Sequence, residues 1–115
     1  MKLINPRIIY VVFIKRYKMP RLYIEPSKSK HYKYTALFVR NDGSMKSVGF
    51  GHKSYYDYTQ HGDKERRKNY IARHEPREDF NDPETAGALS RWILWGDSKK
   101  LEDNVKAFKV RFGYS

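Results

Sequence analysis

The sequence contains no cysteine and no long hydrophobic segment. The absence of cysteine excludes disulfide bonds and thiolate metal sites, and it is consistent with a reducing compartment. The one continuous apolar run, IIYVVFI at residues 8–14, is too short to span a bilayer, which takes roughly 20 residues. No small-residue cleavage site follows the run, so we interpret it as a β-strand and not as a signal peptide.

Acidic residues are scarce relative to basic ones. The chain holds 13 Asp and Glu against 24 Lys and Arg, a net charge of +11. Most of this excess lies in residues 1–30, where eight basic residues face one Glu. Such a segment attracts phosphate groups of nucleic acid or lipid, or acidic protein surfaces. The basic residues that we assign to this N-terminal arm are Arg7, Lys15, Arg16, Lys18 and Arg21.

The usual catalytic motifs are also missing. Gly49 and Gly51 flank Phe50, but the remaining glycines and the following helix of a dinucleotide site are absent. The sequence has no phosphate-binding loop and no serine nucleophile elbow. A chain of 115 residues forms one small domain. We therefore expect a protein that binds and does not catalyse, without a cofactor.

The first half of the chain predicts β-strands. Residues 21–25, 33–40 and 45–50 are short β-prone segments, and the middle one alternates with apolar side chains on both faces, as in a central strand. Asp42-Gly43 between the second and third segments is a hairpin turn signal. We predict a β-hairpin at this point, with a bulge or strand end near the two glycines around Phe50.

The second half predicts helices. Asp63 is a good N-cap for a helix over residues 64–75, ended by Pro76, and Asp82-Pro83 resembles a second helix start. Asp97 or Ser98 is expected to open a third helix, which Gly113 ends. The apolar residues of this third helix recur with helical spacing: Leu101, Val105, Phe108 and Phe112.

The Trp92-Ile93-Leu94-Trp95 run closes the second predicted helix. Four consecutive large apolar residues cannot all face one side of a helix. Trp92 and Ile93 continue a stripe from Ala86 and Leu89, so we assign them to the core, and Leu94 or Trp95 covers something else. Gly96 is predicted as the C-cap.

Strands followed by helices indicate an α+β fold. We predict a small antiparallel sheet of three to four short strands, followed by two to three helices packed on it. Residues 19–115 form this single domain, and residues 1–18 form an N-terminal arm with a β-strand.

Histidines and carboxylates in the middle of the chain could in principle hold a transition metal whose bound water hydrolyses phosphodiesters. The residues concerned are His52, Asp57, His61, Asp63 and His74. Their spacing matches no known metal signature, and the two aspartates have simpler roles in a turn and a cap. We therefore predict no metal site, and a metal-dependent nuclease is the least favoured alternative.

Arginine and tyrosine are interleaved around the first predicted helix, a combination that suits phosphate contacts with stacking or a protein interface. The plain alternative is a solvated helix with Glu–Lys and Glu–Arg pairs. The candidate binding residues are Arg66, Arg67, Lys68, Arg73, Arg77, Tyr55, Tyr56, Tyr58 and His61.

Three motifs carry a resemblance. D-Y-T-x-H-x-D-x-E-R-x-x-x-Y-x-x-R-H starts at Asp57, N-D-P-x-T-A-G starts at Asn81, and W-x-L-W starts at Trp92. Over roughly residues 20–113 the chain resembles a family of small uncharacterised basic proteins of large double-stranded DNA viruses, the nucleocytoplasmic large DNA viruses. The resemblance implies a virion component or a factor that acts in the infected cell, and it implies no activity.

The leading hypothesis is a non-enzymatic virion structural protein, a minor capsid component that links major capsid subunits to each other or to an inner membrane. Its expected partners are viral capsid proteins, with nucleic acid or an anionic membrane surface at the basic arm, within an oligomeric assembly. Its expected location is the virion, and the host cytoplasm during assembly. The alternative is a basic DNA-binding protein for genome packaging.

Overall fold

A computed structural model describes residues 19–115. The predicted arm, with Arg7, Lys15, Arg16 and Lys18, lies outside the described residues, as does its predicted strand.

The sheet has three antiparallel strands in the order β1-β2-β3: β1 (Arg21–Pro26), β2 (Tyr32–Val39) and β3 (Met45–His52). The predicted central position of the second strand and the predicted hairpin are confirmed. In the hairpin turn the carboxylate of Asp42 accepts a 2.8 Å hydrogen bond from the Ser44 amide, and Gly43 has a φ of 87°. Glycine is favoured there because other residues rarely adopt a positive φ.

One face of the sheet forms the core. Leu22, Ala36, Phe38 and Phe50 are almost completely inaccessible to solvent. Each large apolar side chain buried in this way contributes roughly 1.5–3 kcal/mol to stability. The register places Tyr23 beside Leu37, and Val39 beside Met45, on the opposite face. There Tyr23 and Met45 are exposed, at 43% and 65%.

Helices follow the sheet, so the predicted α+β class is confirmed. They are α1 (Tyr58–His61), α2 (Lys64–His74), α3 (Ala86–Leu89) and α4 (Leu101–Phe112). A short 3-10 turn (Glu75–Arg77) extends α2. Asp63 caps α2 as predicted, since its carboxylate accepts from the amides of Glu65 and Arg66 at 3.0 and 3.2 Å. The helix α1 was not predicted.

The predicted helix start at Asp82-Pro83 is wrong. The hydroxyl of Thr85 is the N-cap of α3 and accepts from the Ala88 amide at 3.2 Å. The carboxylate of Asp82 instead accepts from the Glu84 amide at 3.1 Å and holds a turn before the helix. The helix therefore begins three residues later than predicted. The backbone between Asp82 and Thr85 forms a turn, and Thr85 is the N-cap in place of Asp82.

The segment after α3 is a π-helical turn (Ser90–Leu94). This wider turn places both Ile93 and Leu94 in the core, at 0% and 1% exposure, whereas Trp92 is only partly buried. The expectation that Trp92 is a core residue is therefore only partly met, and Leu94 is in the core. Gly96 is not the cap, since Trp95 is the C-cap; a Cβ at Gly96 would lie 2.3 Å from the Trp92 carbonyl oxygen.

The last helix begins at Leu101, not at Asp97 or Ser98 as predicted. Asn104 accounts for the difference because its side-chain oxygen accepts from the Ser98 amide at 3.0 Å and bends the preceding segment. The predicted apolar stripe is confirmed: Phe108 is buried, with Leu101, Val105 and Phe112 packed against the core. Gly113 ends the helix with a φ of 78°, as predicted.

The C-terminal residue of the chain pairs with the start of β1. The Ser115 amide donates to the Pro20 carbonyl at 2.9 Å, and the Leu22 amide donates to the Ser115 carbonyl at 3.1 Å. Within residues 19–115, no helix combines the length and the apolar character that crossing a membrane requires.

Candidate functional site

A cleft with a volume of about 830 Å³ lies between the end of the sheet, α2 and the π-helical turn. This volume is within the range of roughly 300–1,000 Å³ typical of ligand pockets. The end of β3 and the loop after it contribute Gly51, His52, Ser54, Tyr55, Tyr56 and Asp57. Other segments contribute Lys33, His61, Ser90, Leu94 and Trp95.

One face of α2 completes the cleft, with Arg66, Asn69, Tyr70, Arg73 and His74. These positions follow the i, i+3, i+4, i+7 spacing of a single helical face. The helix itself has no buried residue. Its position therefore depends on the few side chains that tie it to the rest of the domain.

Arg67 is one of these ties. Its Nε donates to the carbonyl oxygens of Trp95 and Gly96 at 3.1 and 2.8 Å, and its Nη2 donates to the Asp97 carboxylate at 2.8 Å. Its guanidinium also lies 5.6 Å from the centre of the Tyr58 ring. Arg67, which the sequence had suggested as a ligand-binding residue, is thus engaged in fixing α2 to the segment after the π-helical turn.

A stack of three rings is the second tie. The rings of Tyr70 and Trp95 are 4.1 Å apart and nearly parallel, and those of Tyr70 and His74 are 4.2 Å apart. Burial raises the pKa of Tyr70 to about 12, so its hydroxyl stays neutral at physiological pH. The stack forms one wall of the cleft. Its central ring, Tyr70, is covered on both faces by the other two rings.

Asp57 fixes the loop end of the cleft. One carboxylate oxygen accepts from the Thr59 amide and hydroxyl at 2.9 and 2.5 Å, and the other accepts from Lys33 Nζ at 2.7 Å. The Gln60 side chain accepts from the Asp57 amide at 2.9 Å and from Lys33 Nζ at 2.7 Å, which completes a capping box for α1. The predicted role of Asp57 as a turn and cap residue is confirmed.

The cleft carries a net positive charge. Asp57 is the one carboxylate of the lining, and Lys33 neutralises it. Arg66 and Arg73 are exposed at the cleft, and neither forms an ion pair with any residue of the described range. The two guanidiniums therefore give this cleft a surplus of positive charge that an anionic ligand would balance.

His61 lines the cleft, but neither of its ring nitrogens is available to a ligand. Its Nδ1 accepts from the Asp63 amide at 2.9 Å, which assigns the proton of the neutral ring to Nε2. Nε2 is buried and has no hydrogen-bond partner among the described residues.

The structure brings together five of the predicted binding residues: Tyr55, Tyr56, His61, Arg66 and Arg73. Tyr58 is buried at 4% exposure, so it is part of the core. Lys68 and Arg77 are exposed but do not line the cleft, and Arg21 lies in β1.

Sequence reasoning missed Lys33, Asn69 and Trp95 as cleft residues. Asn69 could have been found from its helical spacing to Arg66 and Arg73. Lys33 and Trp95 carry no such local signal, because they reach the cleft through contacts between distant parts of the chain.

Four of the candidate metal ligands, His52, Asp57, His61 and His74, line the same cleft. Within residues 19–115, however, no group of three or more His, Asp or Glu side chains is placed to hold a metal ion. No geometric observation therefore favours the metal-dependent nuclease.

Comparison with protein families shows a similarity over part of the chain. Residues 22–74 match the model of a family of unknown function (DUF5754). No curated protein and no solved structure matches the chain. The matched segment spans the sheet from Leu22 onward, α1 and α2, and so covers most of the cleft lining but not Ser90, Leu94 and Trp95. The chain is thus similar over that segment to a family for which no activity is described.

Proposed function

We propose that the protein is a non-enzymatic nucleic-acid-binding protein that contacts the phosphate backbone through this cleft. The observation that carries the proposal is the pair of free guanidiniums, Arg66 and Arg73, in a cleft lining that also presents the exposed rings of Tyr55 and Tyr56. Arginines supply phosphate contacts, and aromatic rings supply faces for bases. The proposal agrees with the alternative expected from the sequence, a basic DNA-binding protein.

Charge supports the same proposal. The whole chain carries a net charge of +11, which favours association with a polyanion. Because Lys33 is already paired with Asp57, the phosphate contacts within the cleft fall to the two arginines of α2. Each phosphate contact that is lost should reduce the slope of log K against log salt by about 0.9 on duplex DNA and about 0.7 on a single strand.

The test is DNA binding by the full chain as a function of salt concentration. We expect Arg66→Ala and Arg73→Ala each to weaken binding and to lower the salt slope by about one unit. Lys68→Ala is the matched control, since Lys68 is an exposed cation on the same helix outside the cleft lining. If the full chain does not retain DNA, or if all three variants behave alike, the proposal is wrong.

A second candidate function is the virion structural role. The specific observation in its favour is the outer face of the sheet, where Tyr23 and Met45 are exposed beside Leu37 and Val39. Tyrosine and methionine are enriched at protein interfaces. On this candidate the protein is a minor capsid component that docks against viral capsid proteins in the virion. Mass spectrometry of purified virus particles tests it, and absence of the protein from the particles would exclude it.

A further inference from the structure

We infer that the cleft takes a single strand of nucleic acid, with bases stacked on Tyr55 and Tyr56 and phosphates on Arg66 and Arg73. This inference rests on the proposed function and specifies its ligand. It concerns two features that phosphate binding alone leaves unexplained: the exposed aromatic rings and the concave shape of the site.

The exposure of the two tyrosines is the main observation. Tyr55 and Tyr56 are adjacent in sequence and are each 71% exposed. Large aromatic side chains are usually much more buried than this. A single strand offers base faces to such rings, whereas a duplex keeps its bases stacked on one another and presents only phosphates and groove edges.

The loop that carries these tyrosines is held at both ends. On one side the Tyr55 amide donates to the His52 carbonyl at 3.2 Å, and the Ser54 amide donates to His52 Nδ1 at 3.1 Å. On the other side Asp57 is bonded to Thr59 and Lys33. The rings are therefore presented from an ordered loop, which lowers the entropy cost of stacking on a ligand.

Arg66 and Arg73 line the concave cleft together with the tyrosine rings. A recognition helix that enters the major groove must project from its domain. Exposed cations and aromatic rings that line one concave cleft suit a flexible strand that can bend into the site. An acidic peptide could pair with the arginines, but it would have no need of the tyrosine ring faces.

The two tryptophans of the chain provide a direct readout, because only one of them faces the cleft. Trp95 lines the cleft. Trp92 lies elsewhere, with the guanidiniums of Arg111 and Arg91 at 3.6 and 4.2 Å from its ring centre. In a Trp92→Phe variant, tryptophan fluorescence therefore reports on the cleft alone, and a Trp95→Phe variant is the matched control.

The experiment uses the full chain and an oligonucleotide of about 12 thymidines, within the site sizes of roughly 4–16 nucleotides seen for single-strand-binding folds. The competitors are the corresponding duplex, an abasic strand with the same number of phosphates, and a poly-aspartate peptide. We expect the thymidine strand to change the Trp95 fluorescence and to bind at least about tenfold more tightly than the abasic strand. The two strands offer the same phosphates to the basic arm, so their ratio reports on contacts with the bases, and the tyrosine variants assign those contacts to the cleft.

Tyrosine variants provide a readout that does not depend on tryptophan. By fluorescence anisotropy with a labelled thymidine strand, Tyr55→Ala and Tyr56→Ala should each weaken binding by about 5- to 100-fold. Neither variant should change binding of the abasic strand. Tyr55→Phe and Tyr56→Phe keep the ring and should retain the affinity.

The outcomes separate this inference from the proposed function. If duplex and single strand bind equally, the tyrosine variants are neutral and the arginine variants still weaken binding, then the inference is overturned and nucleic-acid binding remains. If no nucleic acid binds, both are overturned. Tighter binding of the poly-aspartate peptide than of the thymidine strand also overturns the inference and points to an acidic protein partner.

Discussion

The ring of Tyr70 lies flat against the ring of Trp95, with centroids 4.1 Å apart and planes 4° from parallel. This contact joins α2, which has no buried residue, to the segment after the π-helical turn. Arg67 reaches the same segment through the carbonyl groups of Trp95 and Gly96. The width of the cleft is thus set by one junction, although its walls come from distant parts of the chain.

Removing the hydrogen bonds of Arg67 to Trp95 and Gly96 should weaken the attachment of α2 to the domain. We expect Arg67→Met, which keeps the aliphatic stem, to lower the free energy of unfolding by about 1–3 kcal/mol, because two carbonyl groups lose their donor. Urea unfolding measures the change. Arg66→Met on the neighbouring, exposed position should stay within about 0.5 kcal/mol of the parent protein. Equal effects of the two substitutions would contradict the assigned role of Arg67.

Substitution of Asp57 should lower the stability of the domain more than any other substitution at the loop end of the cleft. Asp57→Ala removes a helix cap, worth about 1 kcal/mol, and leaves the largely buried Lys33 ammonium without its carboxylate. We expect a total loss of roughly 2–4 kcal/mol in unfolding free energy, since an uncompensated buried charge is costly. Thermal unfolding measures this loss. Asp42→Ala, in the exposed hairpin turn, is the control and should cost less than half as much; a comparable loss would argue against the role of the ion pair.

Asn104 should be required for the connection between the π-helical turn and α4. Its side-chain amide donates to the carbonyls of Ile93 and Ser98 at 2.9 and 2.7 Å, and its oxygen accepts from the Ser98 amide. Asn104→Leu keeps the branching of the side chain but leaves these buried groups unpaired. We expect a loss of roughly 2–4 kcal/mol in stability, from about 1–3 kcal/mol for each such group with partial relaxation. Lys106→Leu, exposed on the same helix, should have little effect in the same urea titration; equal losses would remove Asn104 from this role.

The ion pair between Arg40 and Glu84 predicts that the free energy of unfolding decreases slightly at acid pH. A hydrogen bond from Arg40 holds the pKa of Glu84 below its ordinary value of 4.5. The folded state therefore binds fewer protons than the unfolded state in this range, and the stabilisation is present above pH 4.5 and is lost as the pH falls through the lower folded pKa. Because both side chains are partly exposed, the effect is modest.

Glu84→Gln isolates this contribution. The variant should be less stable than the parent protein near neutral pH and equally stable once Glu84 is protonated, which is seen by thermal unfolding across the acid range. Glu25→Gln, at an exposed position of β1, is the control and should follow the parent protein at every pH. A constant difference between Glu84→Gln and the parent protein at all pH values would contradict the assignment.

Local patterns account for most of the fold. The strands, the hairpin at Asp42-Gly43, the Asp63 cap and the stripe of α4 all depend on neighbours within a few residues, and all were predicted. The two errors at helix starts have different causes, a competing cap nearby and a side chain that acts from the next helix. Thr85 competes with Asp82 as a cap, and Asn104 shapes the chain at Ser98, six residues earlier.

The site could be predicted only in part. Tyr55, Tyr56, His61, Arg66 and Arg73 were selected by residue type and spacing, and the structure brings them to one cleft. Residue type gave no means of separating Arg67 from Arg66, because what distinguishes them is a bond from Arg67 to Trp95, 28 residues away. Likewise, Lys33 reaches Asp57 across 24 residues.

The pairing of Ser115 with Pro20 and Leu22 brings the first and last residues of the described domain together. The two ends of residues 20–115 lie within hydrogen-bonding distance, so a short linker could join them without crossing the core. A circular permutant reopened at the exposed Asp42-Gly43 turn should then keep the same sheet and cleft, because exposed turns are the sites at which new termini are best tolerated. Such a permutant would move the N-terminal segment and any tag away from the start of β1.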